Sequence, residues 1–325
     1  MADTVAFLEE HAAEIDAAAA RIAPHVWRTP LLTTHLDTRL RLKPECFQRT
    51  GSFKARGAFN AVLRLKARDV APKGVIAVSS GNHAQALALA AQTAGLPAVI
   101  LIPFDASPAK VAATRAYGAE VVQEGITFEN REQRVRQVMA ERGLTLVHPF
   151  DDWDIIHGQG TAAREMLADD PDIATIVTPT GGGGLMCGTA LAAKSRNPRI
   201  RIIGVEPERA DDASRTLRTG TLQTLDRAPD TLADGVRATA IGQRTFEVIV
   251  TQKLIDDIVT VSEQEIQDSL LRTWLQLKLA IEPTSALPLA AWLAGKVPDD
   301  GRPVGLILSG GNASPELVAR LLNTA

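Results

Sequence analysis

An α/β fold with mostly parallel strands is what this sequence predicts, and three features predict it. From about residue 74 onward, apolar runs rich in β-branched residues alternate with alanine-rich stretches; the runs are apolar throughout; glycine or proline punctuates the junctions. Continuous apolar strands are expected where helices cover both faces of a parallel sheet, and the alternation is that of βαβ units.

In order along the chain, Val75 to Val78 reads as a strand and Asn82 to Thr93 as a helix stopped by Gly95. Ala98 to Ile102 reads as the next strand, closed by Pro103, followed by a helix from Pro108 to Tyr117, ended by Gly118, and a strand from Ala119 to Val122. The pattern resumes with strands at Ile173 to Val177, Arg201 to Val205, Asp257 to Val261 and Val304 to Leu308. Thr221 to Asp230 reads as a polar loop with Pro229, and no fixed-period repeat or low-complexity linker interrupts the chain.

The 325 residues, 45% hydrophobic and 22% charged, can bury the cores of roughly two domains. A net charge of -3 without long like-charge blocks lacks the footprint of a nucleic-acid or membrane-surface binder, so a small molecule is the expected partner. Cys46 and Cys187 each stand alone, which excludes a CxxC zinc pair and a disulfide framework and fits a reducing compartment. The acidic, alanine-rich start (Asp3, Glu9, Glu10, Glu14, Asp16) does not read as a signal peptide, and no apolar span of about 18 residues is present. The expected location is cytoplasmic.

Four segments carry chemistry. In Gln48 to Ala58, Lys54 follows Phe53, whose ring can desolvate an amine that must be neutral to attack an aldehyde; a solvated surface lysine is the bland alternative. Ser79-Ser80-Gly81-Asn82-His83 lies where a strand gives way to a helix, a turn that offers backbone N–H groups and hydroxyls to a carboxylate, or that simply caps the helix. Thr180 to Leu185 holds four consecutive glycines, Gly181, Gly182, Gly183 and Gly184, ahead of a helix. Backbone without Cβ can approach a ligand closely and the helix N-terminus favours phosphate, while neither the P-loop nor the dinucleotide glycine spacing is met, so a monophosphate fits better than a nucleotide. Ser309-Gly310-Gly311-Asn312 ends the last strand, where a hydroxyl can hydrogen-bond a pyridine nitrogen without fully protonating it.

Together these segments resemble the serine/threonine dehydratase and serine racemase family of pyridoxal-phosphate enzymes, from about Thr29 to Asn312 and in the family's order. The resemblance implies a tryptophan-synthase-β-like fold: two open twisted, mostly parallel sheets covered by helices, with a large cofactor domain at 1–72 and 151–325 and a small domain at 73–150. It implies Lys54 as the lysine bonded to pyridoxal 5′-phosphate, Phe53 beside the cofactor, Asn82 on its 3′-oxygen, Gly181 to Gly184 with Leu185 on its phosphate, and Ser309 on its ring nitrogen. Ser79 to His83 would hold the substrate carboxylate. The racemase-like branch places a divalent cation on a Glu, on a carbonyl four residues later and on an Asp six residues later, here Glu206, Ala210 and Asp212, an oxygen set suited to magnesium, manganese or calcium. Two surface carboxylates on a turn are the alternative.

The implied activity is a dehydratase, or ammonia-lyase, that converts a β-hydroxy amino acid to a 2-keto acid and ammonia, with Lys54 as general base. A neutral Ser309 would limit the charge stored on the ring and favour prompt β-elimination. Racemisation is the rival, since Ser80 matches a family serine that returns the proton from the opposite face. The family's lysine-serine pair after Ala-Asp-Gly-Val is here Arg237-Ala238, in a segment to Gly242 that is one residue longer, which puts serine itself in doubt as substrate. Arg131 matches an arginine that can face a distal carboxylate such as that of 3-hydroxyaspartate, with a solvent-facing helix arginine as the alternative. Threonine, serine, hydroxyaspartate and aryl-serines stay open. A pyridoxal-phosphate-binding protein without turnover is the reading from another class. Homodimers are common in the family, and the short stretch after Ser309 predicts no regulatory domain.

Overall fold

The computed structural model describes residues 2–70, 72–104, 106, 108–127 and 130–323. Its strands in chain order are β1 (Leu32–Thr33), β2 (Leu40–Pro44), β3 (Val75–Val78), β4 (Ala98–Leu101), β5 (Glu120–Val122), β6 (Thr145–Leu146), β7 (Thr175–Pro179), β8 (Arg201–Pro207), β9 (Asp257–Val261) and β10 (Val304–Leu308). One sheet runs β1-β2-β10-β7-β8-β9 and the other β5-β4-β3-β6. Among the described residues, the antiparallel β1–β2 pair is the exception to parallel pairing between these strands.

Each sheet is buried on both faces, which explains the apolar runs. In β3 and β4, Val75, Ala77, Ala98 and Ile100 pack with the helices Lys54–Lys66 and Asn82–Ala94, while Ile76, Val99 and Leu101 pack with Val135 and Val138 of the helix Arg131–Arg142. In the larger sheet, Ile176, Ile202, Ile258 and Ile307 face one core, and Val177, Ile203, Val205 and Leu306 the other. No helix among the described residues is long and apolar enough to cross a membrane.

Three strands lie where the sequence puts them, at β3, β9 and β10. β7 starts two residues later than expected, because its ladder with β8 runs from Thr175 opposite Arg201 to Pro179 opposite Val205. β8 extends to Pro207, which pairs with Val261 of β9. β2 escapes a reading based on apolar runs because Lys43 sits inside it; that side chain is fully buried by an ion pair with Glu165.

Candidate active site

Lys54 opens the helix Lys54–Lys66, and the turn before it is sewn to the end of β10. Ser52 bridges Gly310, Phe53 N–H donates to the Ser309 carbonyl at 3.0 Å, and Gly311 N–H donates to the Gly51 carbonyl at 2.9 Å. A buried ionic network holds the same helix from below. Arg56 Nε lies 2.7 Å from Glu45 Oε2 and its Nη1 2.8 Å from Glu165 Oε1, while Lys43 Nζ lies 2.7 Å from Glu165 Oε2. Buried charges are tolerated only with such complete pairing, so the first turn of the helix has little freedom to shift.

The Lys54 amine donates to the Pro149 carbonyl at 2.7 Å. Burial lowers its pKa from the ordinary lysine range to about 8, with the negative charge of Glu282 pulling the other way. An amine so placed is neutral often enough near physiological pH to act as nucleophile or base. The segment that holds it, Val147 to Phe150, also reaches two other parts of the site, and sequence reasoning missed it. His83 Nε2 lies 2.9 Å from the Val147 carbonyl, and the Phe150 ring fills the space beside Gly182. The Val147 oxygen can only accept, so His83 carries its proton on Nε2 and leaves Nδ1 as a buried acceptor without a hydrogen-bond partner. Burial, then the charge of Lys54, pushes the His83 pKa down to about 3.

Ser79, Ser80 and Gly81 follow β3 and lead into the helix Asn82–Ala94, with Gly81 N–H donating to Ser79 Oγ at 3.2 Å. Gln85 is the first residue whose N–H reaches back to Gly81, at 3.4 Å, so the amides of Asn82, His83 and Ala84 have no acceptor within the helix. Such a terminus attracts a carboxylate. Asn82 leans across to the larger sheet: its Nδ2 donates to Glu282 Oε1 at 2.8 Å, and its Oδ1 accepts from Asn312 Nδ2 at 2.8 Å. Burial lifts the Glu282 pKa to about 7, and Asp234 adds to the rise. Glu282, just ahead of Pro283, looks in the sequence like an ordinary start of a helix, and nothing there marks it as part of a site.

The glycine turn joins β7 to the helix Gly184–Arg196. Gly183 sits at φ +91, a conformation that other residues rarely adopt, and a Cβ on Gly182 would stand 2.3 Å from the Phe150 ring. The first helical bond runs from Cys187 N–H to the Gly183 carbonyl at 2.8 Å, which leaves the amides of Gly184, Leu185 and Met186 without helical acceptors. Gly181 packs against Val236, and Leu185 turns into the core. At each of the four glycines a Cβ would stand 3.1 Å or less from a neighbour, so the turn is closely packed while its amides are unpaired within the helix.

Ser309 is buried at the end of β10, its hydroxyl 3.1 Å from that of Ser285. Arg131 opens the helix Arg131–Arg142 on the side of the smaller sheet, partly buried, with Nε 4.0 Å from Glu132 Oε1. Apart from this group, Glu206 at the end of β8 and Asp212 at the start of the helix Asp212–Thr219 are both buried. Glu206 accepts the N–H groups of Ala213 and Ser214 at 3.2 and 2.8 Å, whereas Asp212 Oδ2 is buried without a hydrogen-bond partner. Burial and then the charge of Asp212 raise Glu206 well above the usual carboxylate range, and burial raises Asp212 to about 7. Among the described residues no cluster of three or more His, Cys, Asp or Glu side chains could hold a metal, so a cation here would need backbone oxygens such as that of Ala210. An orphaned buried carboxylate oxygen beside a second carboxylate fits such an ion.

Two mostly parallel sheets, with a lysine of lowered pKa bonded to a segment that also touches His83 and Gly182 at the starts of two helices, define a tryptophan-synthase-β-like α/β enzyme. The chain belongs to the pyridoxal-phosphate dependent enzyme family, whose model matches residues 22–310. It is 43% identical over 311 residues to the L-threo-3-hydroxyaspartate ammonia-lyase of Saccharomyces cerevisiae, covering 94% of each chain. Among solved structures it is similar to a threonine deaminase from T.th. (TM-score 0.87, 46% identity, 93% of this chain and 98% of that one). It is also similar to maize serine racemase (TM-score 0.89, 40% identity, 96% and 97%). The residues present suit the cofactor of the family: an amine for its aldehyde, glycine amides for its phosphate and a buried hydroxyl at the far end.

Proposed function

We propose that the chain is a dehydratase that converts a β-hydroxy amino acid of the serine, threonine, 3-hydroxyaspartate or aryl-serine type to a 2-keto acid and ammonia. The observation that carries this reading is the Lys54 amine, lowered to about 8, in the same cluster as the free amides of the Asn82 and Gly184 helices. The ammonia-lyase relative and the threonine deaminase structure support it.

Pyridoxal phosphate, when bound, supplies an aldehyde that captures the substrate amine and a ring that accepts electron density as Cα is deprotonated. Gly181 to Gly184 and Leu185 would hold its phosphate, Phe53 would pack beside it, Asn82 would offer an N–H to its 3′-oxygen and Ser309 would be the partner of its ring nitrogen. Ser79 to His83 would bind the substrate carboxylate and so orient the substrate toward Lys54. The Lys54 amine then takes the Cα proton and the β-hydroxyl leaves with a proton as water; the enamine so formed becomes an imine, whose C=N bond water hydrolyses to the keto acid and ammonia.

Further parts of the reading are a divalent cation (Mg2+, Mn2+ or Ca2+) on Glu206, Ala210 and Asp212, and Arg131 as the partner of a distal substrate group. The chain divides into a large domain at 1–72 and 151–325 and a small domain at 73–150, which agrees with the strand membership of the two sheets. We read it as a cytoplasmic homodimer. Racemisation is the second reading, favoured by the position of Ser80 in the turn before Asn82 and by the likeness to maize serine racemase.

Both enantiomers of serine, threonine, 3-hydroxyaspartate and phenylserine, with and without chelator, test these readings together. Steady release of keto acid and ammonia is expected. Inversion without release would replace the dehydratase by the racemase, and neither product with any substrate would leave a binding protein.

A further inference from the structure

Val147 follows directly on β6, and its N–H donates to the Ile76 carbonyl of β3 at 3.0 Å. Two residues later the Pro149 carbonyl accepts the Lys54 amine at 2.7 Å. The stretch between them has little freedom, since proline fixes its own φ and His148 Nδ1 accepts the Phe150 and Asp151 N–H groups at 3.3 and 2.8 Å. Whatever fixes Val147 therefore also places the carbonyl that holds Lys54.

The His83 ring is spent on Val147. Its Nε2–H donates to the Val147 carbonyl at 2.9 Å, its Nδ1 is buried without a hydrogen-bond partner, and the residue is 3% exposed. A ring so enclosed does not meet a substrate. The backbone N–H of the same residue is one of the three free amides at the start of the helix Asn82–Ala94, a place suited to a carboxylate. His83 thus reaches the carboxylate through its amide and the support of the base through its ring.

We propose that His83 is a positioning residue, whose ring fixes the turn for the substrate carboxylate against the segment that holds the Lys54 amine. This rests on the reading of Lys54 as the base and of the Ser79 to His83 turn as the carboxylate site. Without the bond, the turn keeps its amides and the glycine run is untouched, so substrate and cofactor still bind. The Cα proton no longer lines up with the amine, and a misplacement of about 1 Å can cost roughly 10²-fold in rate. An interaction that matters only in the transition state lowers kcat and kcat/KM together and leaves KM in place.

The test compares His83→Leu, which fills the space without a donor, with His83→Gln, whose side-chain N–H can stand in for Nε2–H. In His83→Leu, kcat for keto-acid release should fall by roughly tenfold to 10²-fold, with KM and cofactor retention within about twofold of the intact protein. The isotope effect on kcat of substrate deuterated at Cα should be no smaller than in the intact protein, because proton removal is the step slowed. His83→Gln should recover most of the rate. Apart from activity, the 15N spectrum of histidine-labelled protein should show His83, assigned by its absence from His83→Gln, as the neutral ring protonated at Nε2 from about pH 6 to about pH 9. Loss of folding or of cofactor in His83→Leu makes the histidine merely structural, and a Gln variant as slow as the Leu variant leaves the bond without a role. Either overturns the proposal, as does a smaller isotope effect or a His83 ring protonated at Nδ1. A protein that takes up no cofactor or forms no keto acid overturns the function itself, and the proposal with it.

Discussion

Asn82 donates its side-chain N–H to Glu282 Oε1 at 2.8 Å, a contact between positions 200 residues apart. Its direction is fixed from the other end of a short relay. Asn312 Nδ2 donates both to the Thr50 carbonyl at 2.7 Å and to Asn82 Oδ1 at 2.8 Å. Since a backbone carbonyl only accepts, Asn312 cannot be reversed, and Asn82 therefore points its amide nitrogen at Glu282. Glu282→Ala should release Asn82 and weaken cofactor retention by roughly tenfold, the loss of one buried hydrogen bond, whereas Glu282→Gln keeps an acceptor oxygen and should retain most of it. Equilibrium dialysis of the cofactor measures this, and equal affinity in the two variants would count against the relay.

The lowered pKa of Lys54 makes a pH prediction. Below about 8 the amine is mostly protonated and unreactive; above it the neutral amine is available. The rate at which cofactor-free protein condenses with pyridoxal phosphate should rise through about pH 8 and then level off. A surface lysine would still be gaining at pH 10. Lys54→Arg should block borohydride fixation of the cofactor and lower keto-acid release by about 10²–10⁴.

Gly182 is pressed against Phe150, its missing Cβ position 2.3 Å from the ring. Gly182→Ala must displace either the ring or the phosphate cradle, and cofactor affinity should fall by at least about tenfold, as expected for a site sensitive to sub-ångström misplacement. If the collision is the cause, Phe150→Ala placed on top of Gly182→Ala should recover part of the loss. Absorbance of the bound chromophore during titration reads both variants.

The paired carboxylates Glu206 and Asp212 are costly without a cation, since burial disfavours their charges. Removal of divalent ions with a chelator should lower Tm by at least about 2 °C, and magnesium, manganese or calcium should restore it. The same treatment should leave Glu206→Gln unmoved. A chelator-insensitive Tm in the unmodified protein would reduce Glu206 to a cap for the helix it bonds.

Arg56 is fully buried against Glu45 and Glu165. Arg56→Met would strand the Glu45 carboxylate and leave Glu165 to Lys43 alone, and should cost about 3–5 kcal/mol in denaturant unfolding. A loss under about 1 kcal/mol would show that the network is not what fixes the helix of Lys54.

Much of the smaller sheet was legible because β3 and β4 and the helix between them are local in sequence, apolar on both faces and bounded by Gly95 and Pro103. β2 and β6 were not, the one because a paired lysine breaks its apolar run, the other because two residues carry no period. Within the site, Lys54, the Ser79 to His83 turn and the glycine run stand out as local patterns. Pro149 and Glu282 do not; each acts through one atom aimed at a distant segment, and neither a carbonyl nor a helix-start glutamate has a signature of its own.

The sequence by itself determined the mostly parallel α/β class, because apolar period is a local property of the chain, and its local patterns singled out Lys54, the glycine run and the Ser79 to His83 turn as candidates. Only the tertiary structure decided which way the hydrogens run in the Asn82 contact, and that burial lowers the Lys54 pKa and raises that of Glu282. Those depend on burial and on partners brought together from opposite ends of the fold, and no window of sequence contains both members of such a pair.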